Sequence, residues 1–178
     1  ARAILDALVE GFGRHRPPER AQVHFQLARI AQARGDLPSA LQQLELASSI
    51  DMAHPGIFKL LGDLSRDAGH LDRAERAYRA LLMIVRRQSA AAAAAPDAVG
   101  PSEVLLALHD IALRLGQAER AQETLESAFE TASRNEHEGR RFERALRASG
   151  HPELLLRAIE ARLATEKDPA LLAELHAD

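Results

Sequence analysis

The sequence predicts an all-α protein assembled from stacked antiparallel helix pairs. Three observations carry that reading. Apolar residues make up 46% of the 178-residue chain, yet aromatics are only 3% and Trp is absent. The core must therefore come mainly from Ala, Leu, Ile and Val, and Ala and Leu are strong helix formers. Next, Gly35, Gly69, Gly116 and Gly150 fall at intervals of 34, 47 and 34 residues. Finally, the long interval exceeds 34 by the length of a 13-residue low-complexity stretch, Ser89 to Pro101. A fixed period in the thirties is the signature of a helical repeat whose units bury their apolar faces on one another.

Setting each glycine at position 15 of a unit places four units at 21–54, 55–88, 102–135 and 136–169, with 89–101 as an insert. The whole chain, 1–178, then reads as a single helical-repeat domain. Position 7 holds Leu27, Leu61, Leu108 and Phe142. Position 20 holds Ala40, Ala74, Ala121 and Leu155, and position 24 holds Leu44, Tyr78, Leu125 and Ile159. Position 27 holds Ala47, Leu81 and Ala128 but breaks to Arg162 in the last unit. Glycine suits a helix C-terminus because the residue just past the end prefers the left-handed conformation, which penalises a Cβ. A small residue at position 20 lets the two helices of a pair approach, and the larger residues at 7 and 24 fill the space between them. The second helices open on Asp36, Pro38, Asp72 and Pro152, which suit helix N-termini.

The periodicity predicts ten helices, over 2–12, 18–34, 37–50, 55–68, 71–93, 102–115, 118–133, 138–149, 152–165 and 169–177. The first belongs to a partial unit, 1–20, with an apolar stripe of Ile4, Leu5, Leu8, Val9 and Phe12 at helical spacing. The fifth is drawn long because Ala90 to Ala95 favours helix and nothing breaks it before Pro96. The alternative is a flexible linker that divides the array. The last, within a terminal segment 170–178 opened by Asp168-Pro169, carries Leu171, Leu172 and Leu175. Both ends read as cuts through a longer array, so a fragment of a longer protein is expected.

These columns resemble the tetratricopeptide repeat. Unit two is the nearest match, with Phe58-Lys59-Leu60-Leu61-Gly62 followed by Ala74 and Tyr78. It departs at Ser65, where that family prefers Tyr, and at Arg86, where it prefers Pro. Unit one supplies Leu27-Ala28, Ala40, Leu44 and Ala47. Unit three places His109 in the small-residue slot, and unit four places Gly139 at the aromatic position. The resemblance implies a right-handed superhelical α-solenoid and a protein-interaction scaffold that binds a partner peptide or helix.

It also implies a concave groove lined by positions 2, 5, 9 and 12 of each first helix. Those positions are Gln22, Phe25, Arg29 and Gln32 in unit one, and Lys59, Asp63 and Arg66 in unit two. Unit three gives Glu103, Leu106, Asp110 and Leu113, and unit four His137, Arg140, Arg144 and Arg147. The last three arginines share one helix face, where guanidinium groups suit carboxylates. An acidic or C-terminal peptide is the expected partner. The competing reading is an ordinary solvated face neutralised by Glu136, Glu138 and Glu143. The family's carboxylate clamp for chaperone tails is not matched: Phe25, Arg29, Leu60, Glu103 and Ala107 occupy its positions.

Chemistry is sparse. No pair among the eight histidines has the i+3 or i+4 spacing of a helical metal site, and there is no cysteine. His109 reads as a buried, hydrogen-bonded core residue, His70 and His151 as turn residues, and Glu136-His137-Glu138 as an exposed helix start. Gly11-Phe12-Gly13 lacks the third glycine and the preceding strand of a dinucleotide fingerprint, so it reads as a helix end. No enzyme activity, cofactor or metal is expected. A net charge of −3 argues against nucleic acid, and no apolar run approaches the roughly 20 residues of a bilayer span. Self-association through apolar array ends is the alternative function, beside a regulatory segment of a multidomain sensor. The compartment is left open, with the cytoplasm favoured.

Overall fold

The structure, a computed structural model, describes residues 2–12, 17–88, 95 and 98–165. Among these residues there are helices and no strands. The helices are α1 (Arg2–Phe12), α2 (Pro18–Ala33), α3 (Leu37–Ile50), α4 (Pro55–Asp67), α5 (Leu71–Arg87), α6 (Pro101–Arg114), α7 (Ala118–Ala132), α8 (Glu136–Ser149) and α9 (Pro152–Thr165). The tenth expected helix lies outside the described residues. The chain divides into two compact units, Ala1–Ile84 and Val85–Asp178.

The four periodic glycines end α2, α4, α6 and α8 in one geometry. Their φ values are 74°, 77°, 73° and 74°, in the left-handed region. The amides of the residues that follow, Asp36, His70, Gln117 and His151, donate back to Ala31, Ser65, Ala112 and Leu146 at 2.9, 2.8, 2.9 and 3.2 Å. This closes the last turn of each helix and satisfies carbonyls that would otherwise have no partner. Asp36 then caps α3, its Oδ1 accepting from the Ser39 amide at 3.2 Å. Asn135 does the same for α8, accepting from the Glu138 amide at 3.0 Å.

In the first unit α1 packs on α2, α2 on α3 and α3 on α4. Its core is built from small and branched aliphatics, including Ala21, Ala28, Ala40, Leu44, Ala47, Ile57 and Leu61. Gly62 lets α4 and α5 close up: a Cβ there would sit 2.9 Å from the Tyr78 ring. In the second unit α6 packs on α7 and α8, and α8 packs on α7 and α9. Its core holds Leu108, Ala121, Leu125, Ala128 and Phe142. The repeat columns are therefore core columns: Ala40, Ala74 and Ala121 are no more than 1% exposed. In the last unit Leu155 and Ile159 are only partly buried.

Most boundaries fall within two residues of expectation, and one departs further. The long helix drawn to residue 93 ends at Arg87, and Gln88 is already a bend. Intrinsic propensity alone argued for continuing through Gln88, and propensity is a weak determinant. The alanine run from Ala90 lies outside the described residues up to 94.

Candidate functional site

Helix α8 sorts its charges onto two faces. Arg140, Arg144 and Arg147 are exposed, whereas Arg141, Phe142, Glu143 and Leu146 are buried. Glu136 in the first turn pairs with Arg140 at 2.6 Å. The other two acids expected to neutralise this stripe are buried and engaged elsewhere. Glu143 pairs with Arg162 of α9, Nη2 donating to Oε2 at 2.9 Å and Nε lying 2.8 Å from Oε1. Glu138 is 7% exposed, which corrects its reading as part of an exposed helix start. Its Oε2 accepts from the Ser102 hydroxyl at 2.9 Å and the Ser102 amide at 3.3 Å. Its Oε1 takes Arg141 Nη1 at 3.1 Å. Arg141 in turn donates through Nη2 to the Ala95 carbonyl at 2.9 Å. A charge in the interior demands this number of partners, and here the insert, α6 and α8 supply them.

The remaining expected groove residues divide by helix. In the second unit Leu106 is 2% exposed, a core residue and not a surface one. Asp110 on α6 accepts from His151 Nε2 at 3.1 Å. Glu103 is half-buried, Leu113 is 50% exposed, and His137 is exposed.

In the first unit α2 exposes Gln22, Arg29 and Gln32, and half-buries Phe25, whose ring centroid lies 5.4 Å from that of His54. On α4, Lys59, Asp63 and Arg66 come together as a charge cluster. Lys59 Nζ reaches Asp63 Oδ2 at 3.3 Å, and Arg66 Nη2 lies 3.9 Å from Asp63 Oδ1. The same Oδ1 accepts the Tyr78 hydroxyl. Burial, reinforced by the Asp63 carboxylate, pushes the Tyr78 phenol far above its ordinary pKa.

The histidines behave as structural residues. His109 is 6% exposed and its Nδ1 lies 2.8 Å from the Ala121 carbonyl. Among the described residues no group of three or more His, Cys, Asp or Glu side chains is placed to hold a metal. No described helix is long and apolar enough to cross a membrane.

Residue-by-residue reading of the sequence missed the Glu138–Arg141–Ser102 cluster and the Glu143–Arg162 pair. The second had a signal. Position 8 reads Ala28, Gly62, His109 and then Glu143, and position 27 reads Ala47, Leu81, Ala128 and then Arg162. Two columns of opposite charge break in the same unit, and the two residues meet.

No protein-family model and no curated protein matches the chain. Solved structures do. A tetratricopeptide repeat protein from Parabacteroides merdae aligns with a TM-score of 0.60 at 17% identity, covering 100% of this chain and 64% of that one. A putative kinesin light chain from Podosopora anserina, with nearly identical TPR-like repeats, gives 0.60 at 22% identity over 94% and 88%. YrrB, described as a TPR protein with an unusual peptide-binding site, gives 0.53 at 15% identity over 90% and 74%. At these identities the likeness establishes the fold: the chain has the tetratricopeptide-repeat fold.

Proposed function

We propose that this tetratricopeptide-fold chain is a protein-interaction scaffold without chemistry of its own, and that it holds an acidic peptide segment along the exposed arginine face of α8. The observation that carries the reading is where the acids of α8 go. Glu138 and Glu143 are buried and engaged with Ser102, Arg141 and Arg162, while the exposed Glu136 pairs with Arg140. The stripe therefore keeps a basic character despite its acidic neighbours in sequence. Guanidinium groups one turn apart suit an extended run of carboxylates, which they can grip in a fork.

A fluorescein-labelled peptide of alternating Glu and Gly, followed by anisotropy, tests this. Arg140→Gln with Arg144→Gln removes two exposed charge contacts, worth about 1–2 kcal/mol together. Binding should weaken roughly five- to thirtyfold and lose much of its salt dependence. Equal affinity for the double variant and the parent would reject the site.

A second reading is favoured by α1. None of its residues is buried, and Ile4 and Leu8 are 68% and 47% exposed. An apolar stripe left open suits contact with a second copy. Light scattering over a dilution series, with Ile4→Ser and Leu8→Ser as the control, separates self-association from peptide binding.

A further inference from the structure

A partly open cavity of about 140 Å³ lies within the second unit, lined by residues of α7, α8 and α9 and of the turn between α7 and α8. Its walls are Phe129 and Phe142, with Ala132, Gly139 and Ala158 between them and the Glu143–Arg162 pair along one side. Ser133, Asn135 and Glu136 stand at its exposed mouth. The two phenylalanine rings meet edge to face, centroids 5.0 Å apart at 80°, and the Arg157 guanidinium lies 4.4 Å from the Phe129 centroid. The walls are thus held from both sides.

The cavity has a cause in the sequence. Position 4 of the repeat holds His24, Phe58 and Leu105 in the first three units but Gly139 in the fourth. A Cβ at Gly139 would meet only the Ala132 carbonyl oxygen at 3.5 Å and Arg162 Cδ at 3.7 Å, ordinary contacts with two residues of the cavity wall. The side chain that fills this space elsewhere in the chain is missing here.

We propose that this cavity is a binding site for a single uncharged aromatic ring. Its volume matches the roughly 150 Å³ at which an apolar protein cavity accepts benzene. The Phe129 and Phe142 surfaces offer edge and face contacts. The charged side of the site is a pair that already neutralises itself, so nothing compensates a charged ligand for losing its water. A free monocyclic aromatic and the ring of a peptide phenylalanine present the same chemistry. Gly139 and Glu143 stand one residue before Arg140 and Arg144 on α8, about 100° round the helix, so the mouth flanks the arginine stripe. The peptide source therefore rests on the acidic-peptide reading, whereas the ring site does not.

Titrating the intact chain with benzyl alcohol, followed by amide and methyl NMR, tests the site. Shifts should concentrate at Phe129, Ala132, Gly139, Phe142 and Ala158, and benzoate should produce at least tenfold weaker binding. Gly139→Leu, which refills the space, should abolish the benzyl alcohol shifts. If that variant loses helical circular dichroism, Gly139→Ala serves instead and should weaken binding severalfold. A phenylalanine-bearing acidic peptide that displaces benzyl alcohol, where its alanine counterpart does not, identifies a peptide as the source. Failure of both peptides to displace it identifies a free molecule. Shifts absent from the cavity residues, or retained in full by a folded position-139 variant, would overturn the proposal, whatever happens at the arginines.

Discussion

The Tyr78 hydroxyl on α5 donates a 2.5 Å hydrogen bond to Oδ1 of Asp63 on α4, and so ties the two helices of one repeat together beside Gly62. Tyr78 is the only tyrosine in the chain, and its side chain is 2% exposed. Its phenol is raised far above the ordinary value by burial first, and then by the Asp63 charge and hydrogen bond. A raised folded pKa means that the native state holds this proton more tightly than the unfolded chain. The stabilisation is complete below the unfolded value of about 10 and is lost as pH rises beyond it. Ultraviolet absorbance should show no phenolate until the first unit unfolds, in a single step with loss of helical signal. Tyr78→Phe should cost about 1 kcal/mol at neutral pH and remove this alkaline dependence. Phenolate appearing near pH 10 with helicity intact would contradict the arrangement.

Gly35 ends α2 at φ 74°, and no atom lies within 4 Å of where its Cβ would be. Space is therefore not the constraint, and the cost of a side chain is that of the backbone conformation alone. Gly35→Ala should destabilise by about 1–2 kcal/mol, and Gly35→Asn by less, because Asn tolerates the left-handed region. Gly69 and Gly116 have the same φ and the same empty surroundings, so alanine there should cost the same. Urea denaturation of the single variants would show the equality. A much larger loss at one site would reveal a contact that the geometry lacks.

What the sequence disclosed follows from how local each cause is. Helix ends were legible because one residue type, glycine, answers one local requirement at Gly35, Gly69, Gly116 and Gly150. Core columns were legible because Ala40, Ala74 and Ala121 repeat a packing constraint. His109 was legible for the opposite reason, a polar residue in a packed column that needed one partner and found the Ala121 carbonyl. Leu106 was placed on a groove by family position, yet an apolar residue on α6 is drawn into whatever interior is nearest. Glu138 was misread because its sequence neighbours Glu136 and His137 are exposed, while Ser102, its partner, lies 36 residues away. The cavity depended on what Gly139 omits, which only a three-dimensional neighbourhood reveals.

Burial of Glu138 makes a sharp prediction about charge. Removing its carboxylate with Glu138→Ala takes the Glu138 counter-charge from the Arg141 guanidinium, whose side chain is 9% exposed, and takes the carboxylate acceptor from the Ser102 amide and hydroxyl. Breaking one side of a buried pair costs about 3–5 kcal/mol, because the surviving charge stays desolvated. Glu138→Leu combined with Arg141→Leu removes both charges and should recover a large part of that loss. Thermal unfolding monitored by circular dichroism orders the three proteins. A double variant no more stable than the single would place the cost in shape and not in charge.

Gly100, at the cap of α6 with φ −90°, is required by that same carboxylate and not by its backbone. A Cβ there would lie 2.6 Å from Glu138 Oε1 and 2.7 Å from Oε2. A carboxylate tip on the surface would swing aside at little cost. This one is fixed by Ser102 on one oxygen and Arg141 on the other, so yielding means breaking those bonds. Gly100→Ala should therefore destabilise by about 1–3 kcal/mol in the parent protein. With Glu138→Ala already present the obstruction is gone, and adding Gly100→Ala should cost almost nothing. The double-mutant cycle should return a coupling of about 1–3 kcal/mol, well above the few tenths expected of independent positions. Additive losses would mean that the carboxylate is free to move and that the cluster does not hold it.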